Sequence, residues 1–572
     1  MTAVQGRWSG AGGPLYAALD QVDALSRAFL IRFFESEITA ATDDLKQPFF
    51  WLLAALAVPG MFIPWIMGFE WQLMALVQGA EAVRIASRAE KAFYLGFSMA
   101  ASGILTAIVW SSLLPDRRDT LILGTLPLQP RTIVVAKLAA LAAYLGLVAV
   151  GMHAVGSVFW GMILGDAVSP LFSLRGVFAH FVASSAASVS VFLAVAAAQG
   201  LTLAVAGPRL FRRLSTMLQV VIVALAVVCL AVLPRLNSTV VGTLADPDGP
   251  NSWLLSLPPV WFLGLYEWLL GTSDPLLLSL AGRALTAVTI VGLATVLSYP
   301  LAYRRLMVSV VEEGGQPENS VASALRRVVV RAAGTHPASV AAAEFFTTTL
   351  ARVDRQRFVL AIATGLAIAW ALPVLHGYTP SEQPSASILG LPVAVMMFLT
   401  VSLRVAASLP SDVRASWVFE IHDLSRQHAR QAVERTMLLL GVLVPVAVSV
   451  PVYLYLWGAM IAISHALVII ALGIAVVELL IWHCVAMPCG QRWTPARIDF
   501  APKWPLHFAL FLIIVVGVPQ LEVMLFQNAS ATASFVAVLF LIAGVIRYRS
   551  ATHEIVPAYD DVDPVAGVLR LN

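Results

Sequence analysis

The chain alternates long apolar runs with short charged connections. The runs fall at roughly 49–67, 92–114, 133–163, 176–206, 214–236, 282–303, 357–375, 386–409, 435–458, 461–486, 504–524 and 530–547. Each is close to or above the ~20 residues that a helix needs to cross a bilayer core. The pattern predicts an all-α, polytopic membrane protein with about twelve transmembrane helices. Pro59 and Pro64 interrupt the first run, which a membrane helix tolerates when its neighbours satisfy the freed carbonyls.

Charge placement tests this division, because it uses residues that did not define the runs. Basic residues follow the even-numbered runs: Arg117, Arg118 and Arg131; Arg209, Arg212 and Arg213; a large group between Arg304 and Arg357; Arg414, Arg426, Arg430 and Arg435; Arg492, Arg497 and Lys503; and Arg547 with Arg549. The opposite connections are poor in basic residues: 164–175 has only Arg175, and 237–281 has Asp246, Asp248, Glu267 and Asp274 and no lysine or arginine. The exception is 68–91, where Arg84, Arg88 and Lys91 are partly offset by Glu70, Glu81 and Glu90. The expectation is a protein of the cytoplasmic membrane with both termini on the cytoplasmic side.

Composition narrows the class. Of 572 residues, 59% are hydrophobic and 12% charged, which excludes a soluble globular protein. A net charge of +3 gives no reason to expect nucleic acid. Residues 1–48 hold no apolar run after a basic start, so no cleavable signal peptide is expected. Three cysteines are too few for a disulfide framework, and His483, Cys484 and Cys489 match no common zinc spacing and lack a fourth ligand. No metal is expected.

The runs also repeat. Phe33-Phe34, two spans and Ser-Leu-Leu-Pro-Asp-Arg-Arg at 112–118 correspond to Phe345-Phe346, two spans and Ser-Leu-Pro-Ser-Asp-Val-Arg at 408–414. An even number of spans per half keeps both halves in the same orientation, so two parallel six-helix repeats are expected. The implied organisation is a cytoplasmic amphipathic segment at 1–48, a first half at 49–303, a cytoplasmic linker at 304–356, a second half at 357–547 and a cytoplasmic tail at 548–572.

The most distinctive connection is 115–132. It interleaves Asp116, Arg117, Arg118 and Asp119 with an apolar stripe of Leu121, Ile122, Leu123, Leu126 and Leu128, whereas a simple hairpin needs only a few residues. The composition suits a short helix that docks on another protein; a helix lying on lipid headgroups is the alternative. The run Leu126-Pro127-Leu128-Gln129-Pro130-Arg131-Thr132, continuing to Lys137 and preceded by Pro115-Asp116-Arg117-Arg118-Asp119, resembles the cytoplasmic connection of ABC type-2 exporter permeases. The resemblance implies an amphipathic helix at 14–46, a coupling helix at 115–132 that inserts into a separate ATPase subunit, and external re-entrant helices at 237–281. Pro115, Asp116, Arg117, Arg118, Asp119, Leu126, Pro127, Arg131 and Lys137 are then the ATPase-coupling residues. A second coupling-like segment contains Pro410, Asp412, Arg414, Glu420, Asp423, Arg426 and Arg430 but lacks the Leu-Pro-Leu turn. The second half also has no counterpart of 237–281, and many members of that family are six-span chains that dimerise.

A P-loop ends in Gly-Lys-Ser or Gly-Lys-Thr, so that the lysine reaches the phosphates and the hydroxyl the magnesium. The four lysines, Lys46, Lys91, Lys137 and Lys503, never follow a glycine. The chain is therefore expected to be a transport subunit and not an enzyme, with no cofactor of its own, its two ATPase partners binding ATP and Mg²⁺. Membrane lipids are the other expected partners, and a homodimer stays open.

Segment 251–270 is apolar and aromatic but broken by Pro258 and Pro259, and it reads as partly re-entrant with Trp261 and Trp268 near the membrane interface. The ionisable residues inside runs are read as His153, His465 and Glu478. A charge at mid-bilayer costs ~2.5–3.5 kcal/mol on insertion scales, so Glu478 should face protein or water. The Ala/Ser-rich stretch 182–200 reads as a packing face. Two other classes compete: a major-facilitator-type secondary transporter, whose connection after the second span is usually shorter and built on Gly-x-x-x-Asp, and a multi-pass membrane enzyme, which needs paired carboxylates or a metal cluster.

Overall fold

The computed structural model describes residues 14–34, 46–113, 123, 126, 128–168, 170–312, 327–331, 336–379, 381, 383–409, 426–481, 489, 510–526 and 528–552. Among them there is no strand, and eleven helices are long and apolar enough to cross a membrane. The protein is an all-α polytopic membrane protein, as the run pattern predicts. It divides into two compact units, Met1–Gln316 and Pro317–Asn572.

Unit 1 begins with α1 (Pro14–Phe34), followed by α2 (Lys46–Gln78), α3 (Ala80–Ala86) and α4 (Arg88–Ile108). Pro59 and Pro64 lie inside α2 without ending it. The connection 68–91 is helical, broken only near Gly79, whose φ of 88° suits glycine, and at Ser87. Its basic residues find partners within the protein: Arg84 pairs with the exposed Glu81 at 3.0 Å one turn away, and Lys91 is buried against a carboxylate.

The chain continues as α5 (Pro130–Val168), α6 (Pro170–Ala245), α7 (Pro258–Leu270) and α8 (Pro275–Glu312). α6 holds two spans, Ser173–Gly207 and Met217–Pro234, separated where Gly207 takes a φ of 76°. Pro258 and Pro259 do not break a helix. They occupy the first turn of α7, where a missing N–H costs nothing, and Gly271 ends it in the left-handed conformation. α4 is the most completely buried span, and it packs along α6 through Ala100, Ala101, Gly103 and Ala107. Small residues bring helices close where lipid supplies no hydrophobic drive to associate.

Unit 2 contains α9 (Pro337–Arg352), α10 (Asp354–His376), α11 (Ala386–Ser408), α12 (Arg426–Thr436), α13 (Val444–Trp457), α14 (Ala459–Ile481), α15 (Val518–Leu525) and α16 (Ala529–Thr552). His336 caps α9 by accepting from the Ala338 N–H at 3.3 Å. A π-helical stretch, Met437–Leu443, joins α12 to α13, and another, Ile513–Gly517, precedes α15. The expected span 504–524 is described only from 510, as the apolar helix Leu510–Leu525, and the other eleven expected runs each correspond to a helix long and apolar enough to cross a membrane among the described residues. The core of this unit gathers Phe346, Val393, Met396, Met437, Val468 and Val477.

Candidate functional site

Steps of three and four residues put Lys91, Tyr94, Ser98, Ser102 and Thr106 on one face of α4, and all five are buried. α5 meets this face with Trp160, Ser157 and His153, and α6 with His180, Ser184 and Ser188, which are also buried. Three helices thus share a polar seam through the interior of unit 1. Hydrocarbon offers such groups no partner, so they must bond to one another or to bound water.

At one end of the seam Lys91 Nζ lies 2.7 Å from Glu267 Oε1 of α7, with both side chains fully buried. Arg88 Nε is 3.8 Å from the other carboxylate oxygen. Lys91 Nζ also sits 4.9 Å from the ring centre of Tyr266, where the ring face attracts a cation. Next to this group His180 stacks on Trp160 at 5.2 Å and meets the edge of Tyr266 at 5.7 Å and Tyr94 at 4.7 Å. Deeper in the seam, Tyr94 Oη is 3.0 Å from His153 Nδ1, and His153 Nε2 is 2.9 Å from Ser188 Oγ.

Unit 2 holds two further groupings around buried carboxylates. His465 Nδ1 on α14 is 2.9 Å from Glu522 Oε2 on α15. Glu478, near the other end of α14, is 3.0 Å from Arg430 of α12 and 3.4 Å from Arg547 of α16, which also reaches Glu434 at 3.1 Å. Among the described residues no group of three or more His, Cys, Asp or Glu side chains could hold a metal ion.

The residues singled out from the sequence are distributed unevenly over these sites. Pro115, Asp116, Arg117, Arg118, Asp119 and Pro127, like Pro410, Asp412, Arg414, Glu420 and Asp423, lie outside the described residues. Leu126 and Arg131 are exposed, whereas Lys137 is buried, its Nζ 4.7 Å from the ring centre of Phe29 on α1. Arg426 begins α12, and Arg430 joins the Glu478 cluster. Trp261 is partly buried and donates from Nε1 to the Leu255 carbonyl at 2.9 Å, while Trp253 and Trp268 are exposed.

Sequence reasoning missed Lys91, His180, Glu267 and Glu522 as buried ionisable groups. The signals were present: one acid inside an otherwise apolar 258–270, a histidine five positions into run 176–206, and an acid inside run 504–524. Lys91 was masked by its position at a run boundary. Comparison with family models, with curated proteins and with solved structures found no match.

Proposed function

We propose that this chain is the transmembrane permease subunit of an ABC type-2 exporter, working in the cytoplasmic membrane with a separate ATPase that binds ATP and Mg²⁺. The observation that carries the reading is at the start of α5. There α1, a helix that precedes the first span, packs along α5 with Phe29 beneath Lys137, close behind the connection 115–132. A partner pressing on that connection would move α1 and α5 together, because the two helices are packed along one another. At the opposite end of unit 1, α7 is held to α4 by Glu267 and Lys91. This is the place where a transmitted movement would be felt by a segment outside the spans. The basic connections and both termini are on the cytoplasmic side in this reading.

The test is co-purification of the full chain with an ATPase subunit carrying Walker motifs. The double substitution Arg117→Ala, Arg118→Ala should reduce the retained ATPase several-fold while the solubilised chain stays monodisperse. Unchanged retention by that variant would count against the assignment.

A second reading, an ion-driven secondary transporter, is favoured by the buried titratable pairs Lys91–Glu267 and His465–Glu522, since such groups in membrane interiors often mark ion or proton pathways. Transport into vesicles separates the two. Activity that needs the ATPase and survives collapse of the ion gradients supports the first, and the converse supports the second.

A further inference from the structure

The eight-residue helix α15 is buried at only two residues, Pro519 and Glu522. Pro519 meets α11 where Gly390 lacks a side chain: a Cβ there would lie 3.5 Å from Pro519 Cγ and 3.1 Å from the Val515 carbonyl of the preceding π-helical stretch. Glu522 meets α14, where its two carboxylate oxygens lie 3.0 and 2.9 Å from His465 Nδ1. Each side chain of this pair is only 1% exposed.

Among the described residues, no other ion faces the pair. α11 and α16 carry their charges near their far ends, as Arg404 and as Arg547 with Arg549, and the two π-helical stretches carry none. Arg430 and Glu434 of α12 belong to the Glu478 cluster near the other end of α14. The titratable side chains in the same apolar cluster are Tyr378, which follows α10, and Tyr453 of α13, whose hydroxyl donates to the Ile388 carbonyl at 2.6 Å. A neutral imidazole beside an ionised carboxylate would leave one negative charge unbalanced in the interior, which burial penalises heavily. One added proton makes the pair neutral. Two contacts favour placing it on the ring. Nδ1 faces both oxygens, as an N–H shared across an ionised carboxylate does, and the Tyr453 ring centre is 5.1 Å from that of His465, within the range of a cation over an aromatic face. Nε2 is buried without a hydrogen-bond partner, so it is the ring position at which the proton can be exchanged.

We propose that His465 and Glu522 form a proton-binding site, an imidazolium–carboxylate pair that latches α15 to α14, and that removal of the Nε2 proton at alkaline pH weakens the latch. The site does not depend on whether an ATPase or an ion gradient drives the protein. The sign follows from counting protons. At pH 8 an unfolded chain carries an ionised carboxylate and a neutral imidazole here, one proton fewer than the folded pair. The folded state therefore loses stability as pH rises, by up to about tenfold in the unfolding constant per pH unit, until the folded pair has lost its proton.

Nitrogen-15 NMR of the full chain with labelled histidines, in phospholipid bilayers at pH 8, reads the ring directly, and the His465 signals are those that His465→Asn removes. An ordinary histidine is then about 3% imidazolium. His465 should show two protonated ring nitrogens in wild type and one in Glu522→Gln, which keeps an oxygen acceptor but no charge. A His465 ring with a bare nitrogen in wild type overturns the proposal, as does an imidazolium that persists in Glu522→Gln. If neither variant folds, the wild-type spectrum decides, since the absence of any imidazolium among the ten histidines at pH 8 is equally fatal. Unfolding in micelles from pH 7 to 10 tests the latch itself: wild type should lose stability more steeply than Glu522→Gln, and parallel curves would overturn that part.

Discussion

Lys91 Nζ and Glu267 Oε1 stand 2.7 Å apart with neither side chain reaching the surface, so one ion pair fastens α7, which lies outside the spans, to α4, the most buried of them. It also accounts for the one connection with basic residues on the side where they are otherwise scarce. Lys91 and Arg88 face a carboxylate of the protein there and make little contact with solvent.

Removing one partner of this pair leaves a buried charge with only Arg88 or nothing to balance it. Glu267→Gln and Lys91→Met should each destabilise the solubilised protein by about 3–5 kcal/mol. The double variant Lys91→Met, Glu267→Leu should be closer to wild type than either single. Thermal unfolding in micelles measures all three, and a double variant that is worse than both singles would show that the pair is not the source of the loss.

The two ion pairs of Arg430 and Arg547 differ in burial. Arg430 and Glu478 are largely shielded, whereas the Arg547 side chain is 62% exposed. A double-mutant cycle on Arg430 and Glu478 should give a coupling above about 1 kcal/mol, and one on Arg547 and Glu434 a coupling below it.

Gly161 and Gly146 both lie in α5 and should respond oppositely to alanine. A Cβ at Gly161 would come within 2.6 Å of the Val177 backbone nitrogen and 2.7 Å of the Ser173 carbonyl on α6, whereas one at Gly146 meets nothing within 4 Å. Gly161→Ala should lower the unfolding temperature markedly because two backbones would have to separate, and Gly146→Ala should leave it unchanged or slightly raised.

Cys489 offers a pH test. Burial pushes its thiol up to about 12, against a smaller opposing effect of the Gln356 side-chain amide. With Cys229 and Cys484 replaced by alanine, maleimide should react with folded protein at pH 8 roughly three orders of magnitude more slowly than with an ordinary thiol. The sign follows from the raised value: the thiolate fraction stays small and grows about tenfold per pH unit up to about 11, where an ordinary thiol has already levelled off. A rate that levels near pH 9 would contradict the burial argument.

The run pattern alone was enough for the helical class, the membrane environment and the approximate position of almost every span, because a bilayer imposes a length and an apolarity that any spanning helix must display in its own sequence. Of the run 504–524 only the part from 510, helix Leu510–Leu525, lies within the described residues. The pattern left the charges of the connection 68–91 as an unexplained exception, because charge in a sequence looks the same whether water or a distant carboxylate balances it. The partner of Lys91 is 176 positions away and that of Glu478 is 48. Which polar groups meet inside the helices was decided only by tertiary structure: helical spacing shows that Lys91, Tyr94, Ser98 and Ser102 share a face of α4, but not that Glu267, His153 and Ser188 are what that face meets.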